Sequence, residues 1–129
     1  MEKKDPLHRS FGYAFEGIDT CIKKERNMKI HCMMAIFVII AGMICKISVI
    51  EWCICFILFG LIMALELVNT AVEATVDLIT EERKPLAKIA KDTAAGAVLI
   101  AAIMAAVVGC IIFLPKVLVM IGMQNFLFM

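Results

Sequence analysis

The chain has 129 residues, 63% of them hydrophobic, with a mean hydropathy of +0.95 and a formal net charge of +1. Soluble domains are about 45–50% apolar, so this composition points to a single domain covered largely by lipid. The near-neutral charge argues against an electrostatic nucleic-acid binder. The six cysteines, at positions 21, 32, 45, 53, 55 and 110, form no C-x-x-C pair and mostly sit in apolar runs. They read as small packed or lipid-facing hydrophobes rather than disulfides or zinc ligands. Residues 1–30 lack the apolar core of a signal peptide, so no cleaved leader is expected.

The first expected element is an amphipathic surface helix over about 8–28. Phe11, Phe15, Ile18 and Ile22 fall within an arc of about 60°, while Glu16, Asp19, Lys23 and Lys24 point elsewhere, as suits a helix lying on a bilayer. If that helix ran on unbroken, Glu25 would fall about 40° from Phe11, close to the apolar stripe, and would need a partner. Three hydrophobic spans come next, at about 29–45, 49–72 and 92–114, each near the ~20 residues that cross a ~30 Å core. The break at Lys46-Ile47-Ser48 makes a short hairpin. The charged segment Thr80-Glu-Glu-Arg-Lys-Pro85 separates the second span from the third, and Pro115 is expected to stop the third. The remaining apolar tail, about 116–129, is too short to span and reads as an interfacial segment. Eleven of the 13 Lys and Arg lie before the first span or after the second. By the positive-inside bias that end is cytoplasmic. The expected fold is therefore an all-α integral membrane protein.

The second span ends in Glu66-Leu-Val-Asn69-Thr-Ala-Val-Glu73-Ala-Thr-Val-Asp77. An ionised carboxylate at membrane depth costs roughly 2.5–3.5 kcal/mol on insertion scales unless it is paired. At 100° per residue, Glu66, Asn69, Glu73 and Asp77 share one arc of about 80°, along a stripe about 16 Å long. Carboxylates are hard oxygen ligands suited to Mg²⁺, which usually takes one or two of them plus phosphate oxygens and water. Lys91 and the Arg83-Lys84 pair can offset phosphate charge. Glu66 lies about two turns deeper than Glu73 and is placed to accept a proton from a lipid hydroxyl. Together these groups suit phosphoryl transfer from a soluble donor to a lipid alcohol, which depends mainly on positioning and charge neutralisation.

Blander readings stand beside that one. Lys91 alone reads as a snorkelling cation, Asp92 as a helix cap, and Glu82, Arg83 and Lys84 as ordinary loop charges. His31 reads as an interfacial residue rather than a ligand. Glu66, Asn69 and Glu73 could form a polar network that staples helices together, or a proton or cation relay in a small oligomeric transporter. Neither G-x-x-x-x-G-K-[ST] nor G-x-G-x-x-G occurs.

Glu66 to Asp77 resembles, at every specified position, the signature E-x-[LIVM]-N-[ST]-[SA]-[LIV]-E-x-x-V-D of the small prokaryotic diacylglycerol kinase family. Tyr13-Ala-Phe-Glu-Gly17, Glu25 and Ala90-Lys91-Asp92 extend the likeness over about residues 8–115. The segments Phe-Glu-Gly-Ile, Lys-Glu-Arg-Asn27 and Lys29-Ile-His31 look more like its undecaprenol kinase branch than its diacylglycerol kinase branch. The resemblance implies a homotrimer in the bacterial cell membrane with three spans per subunit and composite sites at the cytoplasmic interface. It implies ATP and Mg²⁺ as co-substrate and cofactor, and undecaprenol, or alternatively diacylglycerol, as the lipid. By the same resemblance Glu66 is the general base, Asn69 orients it, and Glu25 and Glu73 hold Mg²⁺. Tyr13, Asp77, Glu82, Arg83, Lys84, Lys91 and Asp92 would contact ATP. The family's N-terminal nucleotide-contacting arginine falls on Pro6, with Arg9 the nearest substitute. Met28 and His31 replace an aromatic and an acidic residue of the diacylglycerol branch, a departure that bears on lipid specificity.

Overall fold

Four helices, α1 (Leu7–Lys24), α2 (Arg26–Cys45), α3 (Val49–Ile79) and α4 (Pro85–Met120), make up the computed structural model, which describes residues 4–122. Three of them, α2, α3 and α4, are long and apolar enough to cross a membrane. The protein is thus an all-helical membrane protein. Its exposed surface carries many large apolar side chains, among them Phe37, Ile40, Ile57, Leu99 and Ile111. Water would penalise such a surface, whereas lipid does not.

Local chemistry explains each boundary. Lys46 ends α2 in the left-handed conformation (φ 52°), and its N–H and that of Ile47 both return to the Gly42 carbonyl. Ser48 caps α3 by accepting the Glu51 N–H at 3.2 Å. Pro85 occupies the first turn of α4, where its missing N–H costs nothing. α3 and α4 form the most extensive helix pair, and α2 leans against both. Ile47, Cys55 and Ile112 anchor a small core near the α2–α3 hairpin, flanked by Trp52, Phe59 and Phe113.

Three boundaries differ from the sequence expectation. The surface helix does not run to residue 28: it breaks at Glu25, whose backbone is extended (φ −91°, ψ 119°), and α2 starts at once. No Gly or Pro marks that hinge. It places the Glu25 carboxylate at the N-terminus of α2, where the helix dipole favours an anion. Pro115 does not stop the third span, because α4 continues to Met120. The proline forfeits one backbone hydrogen bond, but the next residue, Lys116, is held by an ion pair to Glu51 at 2.9 Å. Residues 116–120 are therefore helical, while 123–129 of the apolar tail lie outside the described residues. Asp92 is not the cap of α4: the helix begins at Pro85, and Asp92 pairs with Lys88 inside it.

Helix lengths set the depth of the polar stripe. The 20 residues of α2 rise about 30 Å, one hydrocarbon thickness. Counting the same rise from Val49 along the antiparallel α3 reaches the neighbourhood of Asn69. The 31 residues of α3 rise about 46 Å, so its last turns project beyond the apolar layer. Glu66 and Asn69 thus sit at the boundary, with Glu73 and Asp77 above it.

Candidate active site

Along α3 the stripe divides by burial. Glu66 is 1% exposed and Asn69 is 5% exposed, whereas Glu73 is half-buried and Asp77 exposed. Among the described residues neither carboxylate oxygen of Glu66 has a hydrogen-bond partner, and neither does Oδ1 of Asn69. A buried polar group without a partner costs about 1–3 kcal/mol, and more when charged. Such groups mark a candidate functional site.

Around Glu66 lies a cavity of about 210 Å³ bordered by the polar side chains Asn27, His31 and Asn69 from α2 and α3, with Ala95, Val98 and Leu99 of α4 closing one wall. His31 Nε2 stands 3.9 Å from Glu66 Oε2. His31 therefore belongs to the site, where the sequence reading made it merely interfacial. Asn27 and His31 are one turn apart at the start of an otherwise apolar helix, which was the signal for the pair. Asn69 makes no hydrogen bond to Glu66 among the described residues. Its amide nitrogen donates to Glu73 Oε1 at 3.4 Å instead. Helical side chains lean toward the N-terminus, so the Glu66 carboxylate points deeper, away from Asn69, while Glu73 leans back onto it.

From Glu73 the polar chain runs outward. Lys91 Nζ donates to Asp77 Oδ1 at 2.5 Å, bridging α3 to α4. Beyond that bridge the α3–α4 turn surrounds an open cavity of about 620 Å³ bordered by Glu82, Arg83, Lys84, Lys88, Lys91 and Asp92. Within the turn, Thr80 Oγ1 accepts the Glu82 N–H at 3.1 Å and fixes the loop. The sequence reading missed Thr80 and Lys88, because neither stands out in composition.

Glu25 sits at the α1–α2 hinge, at the N-terminus of α2. Behind the hinge, buried Cys21 packs its Sγ 3.3 Å from Thr70 Oγ1, and Thr70 donates to the Glu66 carbonyl at 2.9 Å. Burial raises the Cys21 thiol above its ordinary range, outweighing the Thr70 hydrogen bond that lowers it. Cys21 is accordingly a neutral packing residue joining α1 to α3.

The fold does not gather every expected residue. Tyr13 and Arg9 lie on α1, Tyr13 largely exposed and Arg9 3.8 Å from Asp5. Among the described residues α1 packs on α2 and α3 but not on α4, so neither residue borders the cavity at the α3–α4 turn. Nor is any group of three or more His, Cys, Asp or Glu arranged to hold a metal among the described residues.

The sequence matches the family model of prokaryotic diacylglycerol kinase over residues 12–113. The chain belongs to that family. This member of the prokaryotic diacylglycerol kinase family is 49% identical over 108 residues to the undecaprenol kinase of Bacillus subtilis, covering 84% of this chain and 88% of that protein. It is 43% identical over 110 residues to a diacylglycerol kinase of Synechocystis, covering 84% of this chain and 63% of that protein. A diacylglycerol kinase of Haemophilus influenzae is 35% identical over 95 residues, covering 74% and 80% respectively. The chain is thus a kinase.

Proposed function

We propose that this chain transfers the γ-phosphate of ATP to the hydroxyl of undecaprenol at the cytoplasmic face of a bacterial cell membrane. The observation that carries the reading is Glu66, 1% exposed and without a hydrogen-bond partner on either oxygen, at the lipid boundary of α3. Glu66 accepts the proton of the lipid hydroxyl as that oxygen bonds to the γ-phosphorus, and ADP leaves with the electrons of the broken P–O bond. Arg83, Lys84 and Lys91 offset phosphate charge at the α3–α4 turn, with Asp77 orienting Lys91 and with Glu82 and Asp92 toward the nucleotide. Asn69 steadies Glu73 rather than the base.

Mg²⁺ suits the donor set. Glu25 and Glu73 would offer two carboxylates, and Mg²⁺ commonly takes one or two, completed by phosphate oxygens and water. When bound there it would draw charge from the phosphates.

The surroundings obey the same logic. Phe11, Phe15, Ile18 and Ile22 are exposed on one side of α1, consistent with an amphipathic helix resting on the membrane. The excess of Lys and Arg at that end supports a cytoplasmic site. Tyr13 and Arg9 sit on a helix that does not reach α4 of its own subunit. That separation favours a homotrimer in which a neighbouring subunit's surface helix completes the nucleotide site.

The test is purified protein in mixed micelles with Mg-ATP and either undecaprenol or a diacylglycerol. Phosphate transfer to undecaprenol with the higher kcat/KM is the expected result. Preferred transfer to diacylglycerol would move the chain to the other branch, and transfer to neither would end the assignment of a lipid-alcohol substrate.

A further inference from the structure

Two cavities meet at one side chain. The cavity of about 210 Å³ is bordered by Glu66 and Asn69. A second cavity, about 170 Å³, lies deeper among α2, α3 and α4 and is bordered by Met34, Val38, Leu58, Phe59, Ile62 and Phe113. His31 borders both. Its Nε2 stands 3.9 Å from Glu66 Oε2, too far for a direct hydrogen bond. An oxygen atom set beside that gap can lie about 2.8 Å from each.

We propose that the two cavities receive one ligand, a polyprenyl alcohol. Its hydroxyl sits between Glu66 and His31, and the hydrocarbon unit next to the hydroxyl fills the apolar cavity. This deepens the kinase reading and rests on it. Apolar cavities of about 150 Å³ accept a benzene-sized group. The 170 Å³ here therefore holds one isoprene-sized unit, with the rest of the chain leaving into lipid. A polyprenol carries such a unit directly on its hydroxyl-bearing carbon. A diacylglycerol carries ester groups close to its hydroxyl instead. Apart from the His31 imidazole this lining offers only the sulfur atoms of Met34 and Cys55, so buried ester carbonyls would go largely unpartnered. His31 is a positioning residue: its imidazole fixes the alcohol oxygen against the base, and the apolar cavity selects the hydrocarbon attached to that oxygen.

The experiment uses the full chain in mixed micelles with Mg-ATP, and with farnesol, undecaprenol or dioleoylglycerol as acceptor. Gly109 borders the apolar cavity, and a Cβ there meets nothing within 4 Å. Gly109→Ala thus takes up cavity space and favours the helix, and Ala105→Leu takes up more. Ala105→Leu should raise KM for either prenol about tenfold or more, the scale on which apolar pockets discriminate, with KM for Mg-ATP unchanged. His31→Leu should do the same, and His31→Gln, which keeps a polar atom near the Nε2 position, should recover most of the loss. On the unaltered protein, farnesol should be phosphorylated with a kcat/KM above that of dioleoylglycerol, a result that does not depend on how any variant folds. Wild-type prenol KM in folded Ala105→Leu overturns the proposal. A wild type that phosphorylates dioleoylglycerol but no prenol overturns it as well. A wild type that phosphorylates none of the three acceptors refutes the kinase reading beneath it, a separate and distinguishable failure.

Discussion

Replacing Glu66 by glutamine keeps the size of the side chain and removes its charge and its basicity. The structure predicts effects of opposite sign on activity and stability. On activity, a positioned general base contributes about 10²–10⁴-fold, or about 3–5 kcal/mol of barrier. Glu66→Gln should lower kcat by that factor while the affinity for Mg-ATP changes little, since the nucleotide groups cluster at the α3–α4 turn. On stability, both Glu66 oxygens are buried without a partner among the described residues. An unsatisfied polar group costs about 1–3 kcal/mol when neutral and more when ionised, so removing the charge should raise stability. The assay pairs ³²P transfer to undecaprenol in micelles with thermal unfolding in the same detergent. A variant that retains more than about a tenth of wild-type kcat refutes the base assignment. A variant of lower melting temperature refutes the idea that the site holds an uncompensated charge.

Glu73→Gln should act on the nucleotide instead, raising KM for Mg-ATP about 10- to 100-fold, the range for weakened metal sites, with a smaller effect on the lipid KM; Mg²⁺ titrations at fixed ATP check it. Asn69→Leu removes the amide that steadies Glu73 and should shift the Mg²⁺ requirement in the same direction, read in the same titration. At the other end of the bundle, a Cβ on Gly42 would meet Trp52 ring atoms at 2.6 Å and 2.9 Å. Gly42→Ala should therefore destabilise by about 1–3 kcal/mol through overpacking, seen as a lower melting temperature at unchanged lipid KM. Lys116→Met strands Glu51 and should lower the melting temperature, with most of the loss restored in the Glu51→Gln, Lys116→Met double variant.

Helix α1 and the three long apolar helices were legible because their apolar residues repeat at the helical period or run for the thickness of a bilayer, and both signals are local. The hinge at Glu25 was not, since no Gly or Pro announces it and the break depends on where α2 must point to pack on α3. Pro115 misled for the converse reason. Its local rule forbids helix, but Lys116 is fastened to Glu51, 65 positions earlier in the chain, and the helix continues.

In the site the same division holds. Glu66, Asn69, Glu73 and Asp77 share a helix, so a 3.6-residue period alone put them on one face. Sequence composition also fixed the membrane setting, and the segment 66–77 fixed the family resemblance. Tertiary structure decided what a single helix cannot: that Glu66 is sealed and unpartnered, that Asn69 serves Glu73, and that Lys91 of α4 closes on Asp77 of α3. It also drew His31 from α2 to the edge of the base. Burial and pairing are properties of the space between helices, and that space exists only once the helices have packed.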